Sequence, residues 1–530
     1  MREDVSSPSP TPAAAALGAA ALSRSASQTL AEQLSGHYAA RIRQRLLLPG
    51  ARLPSVRESA RRHRVSPSTV VAAYDHLAAQ GLIEAKRQRG FFVREGEASP
   101  ARGARATAAA DDGEAQSAAA RLALTTETLP RPLNPQQPPP VDATALIRGM
   151  FSADAQHPAP GLGTLPADWL DAGMLQTALR RVMTGAGRAS RGAGAGSQPQ
   201  AHAAGHAVSH LHYGEPAGDT RLRHALAQRL ADFGVPATPA QIVTANGATH
   251  ALDILSRGLL RPGDPVLVDE PGWSVEFARL NQLGMRLLPV PRGVDGPDLA
   301  AMAALARAHR PRLYVTVSVL HNPTGASLSL AAAHQVLRLA EAHDFRIVED
   351  DTYAAFAPAH APRLSALDGL GRTIYVSGFS KILAPGWRVG FLAAPPDLVE
   401  RLIDVKLLGA LTTPALLEQA VAVCLEQGWL RRHAERVTDR LAAARARSSK
   451  LALAAGCRFV TPPAGLFGWV DTGVDTERLA THMLDDGWLL APGMVFHAHR
   501  RPSTLMRINF ATAQDARFWK AFEKARQGCR

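Results

Sequence analysis

Residues 377–391 read SGFSKILAPGWRVGF. A single lysine, Lys381, stands among small and hydroxyl residues, and Arg388 returns seven positions later. A lysine that only solubilises a surface needs no such setting. A lysine that condenses with an aldehyde beside a bound phosphate does, because its amine must act as a nucleophile and serine hydroxyls with an arginine are donors that suit phosphate. The stretch continues an apolar run, RTIYVSG. DPVLVDEP, RLYVTVSVL and FRIVEDD are similar short runs, separated by segments of helical pattern. Strands buried on both faces by crossover helices have this character. The pattern predicts an α/β domain over residues 146–530 with a mostly parallel sheet, whose ligands bind beyond the carboxyl ends of the strands.

Residues at those predicted strand ends carry chemistry. Asp350 closes a buried strand with a carboxylate, which is costly unless a cation meets it. A protonated ring nitrogen is such a partner, and it would keep the ring an electron sink. Tyr353 is three residues on, and Asn322 lies in HNPTG; both can reach a phenolic oxygen on the same ring. Trp273 in DEPGWSVEF offers a flat face for stacking. In NGATHALDIL the chain turns at Gly247 into a helix beginning near Ala248 and Thr249, and helix N-termini bind anions through free N–H groups. Ser377, Ser380 and Arg388 add phosphate donors. The cation nearby is expected to lower the pKa of Lys381. Each of these is weak alone: strand-end acids are often caps, and NPTG is a turn signal in any protein.

Length and composition bound the rest. The chain has 530 residues, 46% hydrophobic and 20% charged, which suits more than one ordinary globular domain. No apolar run long enough to span a membrane is present. The N-terminus is not basic and is interrupted by proline and serine, so residues 1–27 are expected to be a disordered leader rather than a signal peptide. Cys424, Cys457 and Cys529 have no CxxC spacing, which argues against a disulfide framework or a structural zinc site and points to the cytoplasm. No metal is expected. The net charge is +13, and residues 41–94 hold twelve Lys and Arg against three acids, Glu58, Asp75 and Glu84. Such concentration favours nucleic acid as a partner.

Residues 28–94 read as a compact domain. Leu30, Leu34, Tyr38, Ile42 and Leu46 recur at spacing four, one face of a helix. Ser55 with Glu58 forms a capping-box pattern for a second helix. Ser66, Pro67 and Gly81 punctuate a third. LIEAK and GFFV follow as two short strands, so the order is that of a winged helix-turn-helix. Residues 95–145 are an expected flexible linker, and the Gly/Ala/Ser-rich residues 184–210 an expected flexible insertion in the large domain.

Residues 150–530 resemble the fold-type I pyridoxal-phosphate enzymes of the aspartate aminotransferase group. The resemblance rests on YGEPAGDTRLRHALA, NGATHALDIL, PGDPVLVDEPGW, HNPTG, EDDTY, SGFSKILAPGWRVGF, PAGLFGWV and LMRINFA, in that order. It implies pyridoxal 5'-phosphate as cofactor, with Lys381 as the Schiff-base lysine and Asp350 as partner of the ring nitrogen. By the same resemblance Tyr353 and Asn322 serve the ring hydroxyl, Trp273 stacks on the ring and Arg388 takes the phosphate. Arg507 would hold a substrate carboxylate, and Tyr213 would reach across a dimer. Gly378 departs from the pattern where a Ser or Thr often contacts phosphate, as does Thr249-His250 after the glycine turn.

LPSVRESARRHRVSPSTVVAAYDHLAAQGLI, residues 53–83, resembles the winged helix-turn-helix of GntR-type regulators. This implies double-stranded DNA as partner, read by the helix that follows Ser66. Arg57, Ser66, Ser68 and Thr69 would contact phosphates or base edges, and Arg89-Gly90 would form the wing tip. Pro67 and Val71 stand where some relatives carry arginine. The two resemblances together are those of the MocR group. They imply a regulator that works as a head-to-tail homodimer and whose large domain senses a small amino compound or a B6 vitamer. A working aminotransferase with an accessory DNA-binding domain is the rival expectation, since the residues for half a transamination are all present.

Overall fold

The computed structural model describes residues 28–43, 50–86, 90–94, 159–191 and 212–529, with Leu22 and Leu47 as single positions and side chains only to residue 184 in the fourth segment. The chain divides into two compact units, residues 1–141 and 142–530.

In the first unit the helices Leu30–Arg43, Val56–His63 and Pro67–Ala79 precede a hairpin of β1 (Ile83–Lys86) and β2 (Gly90–Val93). Local chemistry starts the second and third helices. Ser55 Oγ accepts from Glu58 N–H at 3.3 Å, and Ser66 Oγ accepts from Thr69 N–H at 3.1 Å with Pro67 at the first helical position. Gly81 leaves the third helix at φ +67°, a conformation that favours glycine. Leu34, Tyr38, Val70, Tyr74 and Leu77 close a core with Ile83 and Val93. β1 and β2 pair antiparallel, and Arg52 bridges to Phe92 at their edge. Leu22 packs against this core, so the expected leader contributes at least one contact. The rest of the leader, up to residue 27, and the linker 95–145 fall outside the described residues.

The second unit is built on β3 (Ile242–Ala245), β4 (Pro265–Glu270), β5 (Arg286–Pro291), β6 (Leu313–Thr316), β7 (Arg346–Asp350), β8 (Thr373–Gly378) and β9 (Gly390–Ala393). Their order is β3-β9-β8-β7-β6-β4-β5. Strands β4 to β8 run parallel, and β9 is antiparallel to both β8 and β3. Successive side chains serve opposite faces. Val266 and Val268 enter one core with Leu252, Leu255, Phe277 and Leu280, while Leu267 enters the other with Met302, Val336 and Ala340. This double burial is why the strands read as unbroken apolar runs. A smaller antiparallel sheet follows: β10 (Arg458–Phe459), β11 (Phe467–Asp471), β12 (Ala491–Pro492) and β13 (Leu505–Asn509), in the order β10-β11-β13-β12.

The helix Ala172–Arg191 runs through residues 184–191, which the sequence assigned to the flexible insertion. Alanine and arginine there sustain a helix that two glycines do not stop. Residues 192–211 fall outside the described residues. Among the described residues no helix is long and apolar enough to cross a membrane.

Candidate functional site

The strand directions put the carboxyl ends of β3, β4, β6, β7 and β8 on one edge of the large sheet. Three acids end β7 or follow it, and each meets a different fate. Glu349 accepts from the backbone of Leu364 and Ser365, both at 2.7 Å, and from Ser318. Asp351 pairs with buried Arg363 at 2.6 Å and accepts from Tyr375 Oη at 2.9 Å. Asp350 accepts from Thr352, through its N–H at 3.0 Å and through its hydroxyl, and forms no ion pair among the described residues. Burial therefore pushes its carboxyl up to about 6 against the pull of those Thr352 bonds. Asp350 lines a small cavity with Trp273, Gly272, Glu276, Thr316 and His321.

Lys381 follows β8, and its Nζ donates to Gly163 O at 2.7 Å. Its pKa falls to about 8, chiefly through burial, then through Arg507, with Arg388 a smaller contribution. The sequence attributed this lowering to a neighbouring cation alone; desolvation leads because the ammonium is enclosed. Arg507, on β13, donates from Nη1 to Asn322 Oδ1 at 2.8 Å and from Nη2 to Gly161 O at 2.6 Å. Its guanidinium lies between the rings of Phe467 and Phe496, 4.5 and 5.0 Å from their centroids. Nε has no partner, and no carboxylate pairs with Arg507 among the described residues. Burial lowers its pKa to about 10. Tyr353 stands edge-on to Phe467 at 5.4 Å, and its pKa is raised chiefly by burial, while a hydrogen bond with Asn322 opposes the rise. Arg507 thus bonds Asn322, and both Arg507 and Asp350 act electrostatically on Lys381 and Tyr353, so residues distant in sequence are drawn together.

The expected phosphate cradle is assembled by glycines. Gly247, at φ +81°, caps the helix Ala248–Leu259 with no side-chain bond. A Cβ on Gly247 would lie 2.3 Å from Arg388 Nη2, and one on Gly390 would lie 2.5 Å from the Gly247 carbonyl carbon. Only bare backbone lets β9, Arg388 and the helix N-terminus approach so closely. Arg388 donates to Ser380 Oγ at 3.0 Å and to Asn246 O at 3.0 Å. Thr249 is exposed in the first turn. Ser377 differs from expectation: it donates its hydroxyl proton to Asp351 O at 2.8 Å, tying β8 to β7 instead of facing an anion as a donor.

These residues fit pyridoxal phosphate. A buried lysine has its pKa lowered, a buried carboxylate lacks a cation, and a helix N-terminus lies open beside an arginine through a gap that a Cβ would fill. Residues 193–524 match the family described as Aminotransferase class I and II. The chain belongs to that family. Its cofactor is pyridoxal phosphate. Residues 30–93 match the family described as Bacterial regulatory proteins, gntR family, which makes DNA the partner of the first unit. The chain is therefore a fusion of a gntR-type DNA-binding domain with an aminotransferase-type domain. It is 26% identical over 487 residues to the uncharacterized HTH-type transcriptional regulator YisV of Bacillus subtilis, covering 88% of this chain and 89% of that protein. It is 33% identical over 223 residues to the probable rhizopine catabolism regulatory protein MocR of Rhizobium meliloti, 42% of this chain and 44% of that one. The crystal structure of LysN, an alpha-aminoadipate aminotransferase from Thermus thermophilus, shares the fold at TM-score 0.63, with 24% identity over 73% of this chain and 97% of that one.

On the gntR-type domain, Arg57, Ser66, Ser68 and Gly90 are exposed and Thr69 is half-buried. Ser66 Oγ lies 2.8 Å from both Ser68 Oγ and Thr69 Oγ1, so the cap and the proposed DNA contacts form one hydroxyl cluster at the head of the third helix. Arg89 falls outside the described residues. In the large unit, sequence reasoning missed Thr352, Phe496 and Asn509, together with the glycine segment around Gly161 and Gly163. Thr352 sat inside the quoted EDDTY, and Asn509 inside LMRINFA. The glycines act through carbonyls and left no side-chain signal.

Proposed function

We propose that the chain is a pyridoxal-phosphate-dependent transcriptional regulator whose large domain binds an amino compound bearing a carboxylate, and that occupancy of this site changes how the gntR-type domains grip DNA. The observation that carries this is Arg507, a buried cation near Lys381 whose Nε is free and which has no carboxylate partner among the described residues. A buried guanidinium met only by neutral oxygens favours an anion.

Lys381, Asp350, Tyr353, Asn322 and Trp273 would hold the ring, and Gly247, Ala248 and Thr249 with Ser380 and Arg388 the phosphate. Bound there, pyridoxal phosphate supplies an aldehyde that captures amines and a ring that withdraws electrons. The lowered pKa raises the uncharged, nucleophilic fraction of Lys381 at neutral pH by roughly two orders of magnitude. Asp350 would offer negative charge to the ring nitrogen and favour its protonation. Arg507 and Asn322 orient a carboxylate, and the flanking phenylalanines exclude water and strengthen that ion pair.

Exposed apolar side chains support a homodimer. Tyr213 is 82% exposed and Leu408 is 91% exposed. Gly214, next to Tyr213, lies against Thr412 and Thr413, which follow exposed Leu411 in the chain. A second copy of the chain covering this apolar surface would bring Tyr213 toward the partner's phosphate cradle, as the head-to-tail reading requires.

Borohydride reduction of the cofactor-loaded protein, followed by peptide mapping, tests the core of the proposal. The label is expected on Lys381 and absent from Lys381→Ala; a label elsewhere overturns the site. The presence of Lys381, Asp350 and Arg507 together also favours a working aminotransferase. Multiple turnovers with an amino acid and 2-oxoglutarate, without retardation of the protein's own upstream DNA, would favour that reading.

A further inference from the structure

The segment Ala159–Thr164, APGLGT, crosses the pocket and spends its carbonyls there. Gly161 O accepts from Arg507 Nη2 at 2.6 Å, and Gly163 O accepts from Lys381 Nζ at 2.7 Å. The strap is held from behind. Asn509 Nδ2 donates to Leu162 O at 3.0 Å and to Thr164 O at 2.7 Å, Asn509 N–H to Pro160 O at 2.9 Å, and Gly161 N–H to Leu489 O at 2.9 Å. A neutral carbonyl on a buried guanidinium is a weaker partner than a carboxylate, which brings an opposite charge and can accept two parallel N–H bonds. Arg507 has satisfied Nη2 with the weaker acceptor and left Nε with none.

Resting on the functional reading above, we propose that this strap is a built-in competitor for the site. Gly161 O occupies the place of one oxygen of a ligand carboxylate on Arg507, so a carboxylate enters by displacing the strap. The strap selects for ligands whose charge repays that exchange: amines without a carboxylate leave Gly161 O in place.

The geometry supplies two variants of opposite sign. Asn509→Ser removes both side-chain anchors and loosens the competitor. Gly163→Ala adds a methyl 3.7 Å from Lys381 Nζ, 3.8 Å from Arg507 Nη2 and 3.6 Å from Phe467. These are ordinary contact distances, so the strap is tolerated in place and gains packing, while the space in front of both cations narrows.

The test is hydrogen exchange at residues 161–164 of full-length protein titrated with propionate, a carboxylate without an amine, and separately with propylamine. Exchange is expected to rise with propionate and to stay unchanged with propylamine. Asn509→Ser is expected to lower the propionate midpoint by about 25-fold, fivefold for each of the two hydrogen bonds lost, and Gly163→Ala to raise it. Exchange that ignores propionate, or responds equally to propylamine, overturns the proposal, as does a midpoint that rises in Asn509→Ser. Borohydride trapping on the same preparations separates the two readings. Protein that traps cofactor on Lys381 without a strap response overturns the strap alone. Protein whose strap responds but which never traps cofactor overturns the cofactor site and leaves the strap.

Discussion

Asp350 shows how a functional residue trades against stability. Its carboxyl is raised from 3.8 to about 6 by burial. A carboxyl that binds its proton more tightly when folded costs stability as pH rises. The cost grows between about pH 4 and pH 6 and is complete above that. Asp350→Asn should therefore stabilise the cofactor-free protein above neutral pH by about 1–3 kcal/mol, while weakening retention of pyridoxal phosphate. Denaturant midpoints of wild type and variant across this range, beside a cofactor titration, check both halves; equal stability above neutral pH would refute the first. The identity of this site was legible in the residues Lys381, Asp350, Asn322 and Arg507, because each side chain has few uses at a strand end. Legibility stopped at groups that act through backbone. Gly161 and Gly163 carry no chemistry in a side chain, so only their position across Arg507 and Lys381 gives them a role.

Capping serines and turn glycines made the elements of the gntR-type domain readable, and Pro67–Ala79 begins where Ser66 requires. Ser66→Ala should cost that unit about 1 kcal/mol through loss of the cap, read as a lower midpoint of its unfolding transition. Packing added what the pattern did not show. His63 of the second helix is buried against Tyr38, with Nε2 3.4 Å from Tyr38 Oη, and stands edge-on to His37 at 5.9 Å. Burial, with Arg62 and Arg41 nearby, lowers its pKa to about 4. A histidine held neutral in the folded state is protonated first when unfolded. The gntR-type unit should therefore lose stability as pH falls from about 6.5 toward 4, by up to about 2 kcal/mol, and His63→Gln should flatten that dependence. A wild-type profile no steeper than that of the variant would contradict this. In the large unit Ser377 had the composition of a phosphate ligand, and strand pairing instead turned its proton toward Asp351 O.

In the proposed homodimer, two gntR-type domains would act together on DNA. Leu408, on the helix Pro396–Ala410, and Leu411, just after it, are both exposed. Leu408→Glu should convert a dimer to a monomer in light scattering and reduce affinity for a two-half-site operator by about 100-fold, because the second contact loses its effective concentration. A dimer that survives the substitution would exclude this surface as its interface.

The fusion and the α/β class could be read along the chain, and candidates for holding the cofactor could be named, since period, caps and reactive side chains are local properties. Folding settled which of three adjacent acids form no ion pair among the described residues. It also made burial, rather than a neighbouring charge, the main influence on Lys381, and it set a glycine strap to share Arg507 with any incoming carboxylate. Desolvation and competition for a donor depend on what the folded chain brings within a few ångströms, and residues 161 and 507 meet only there.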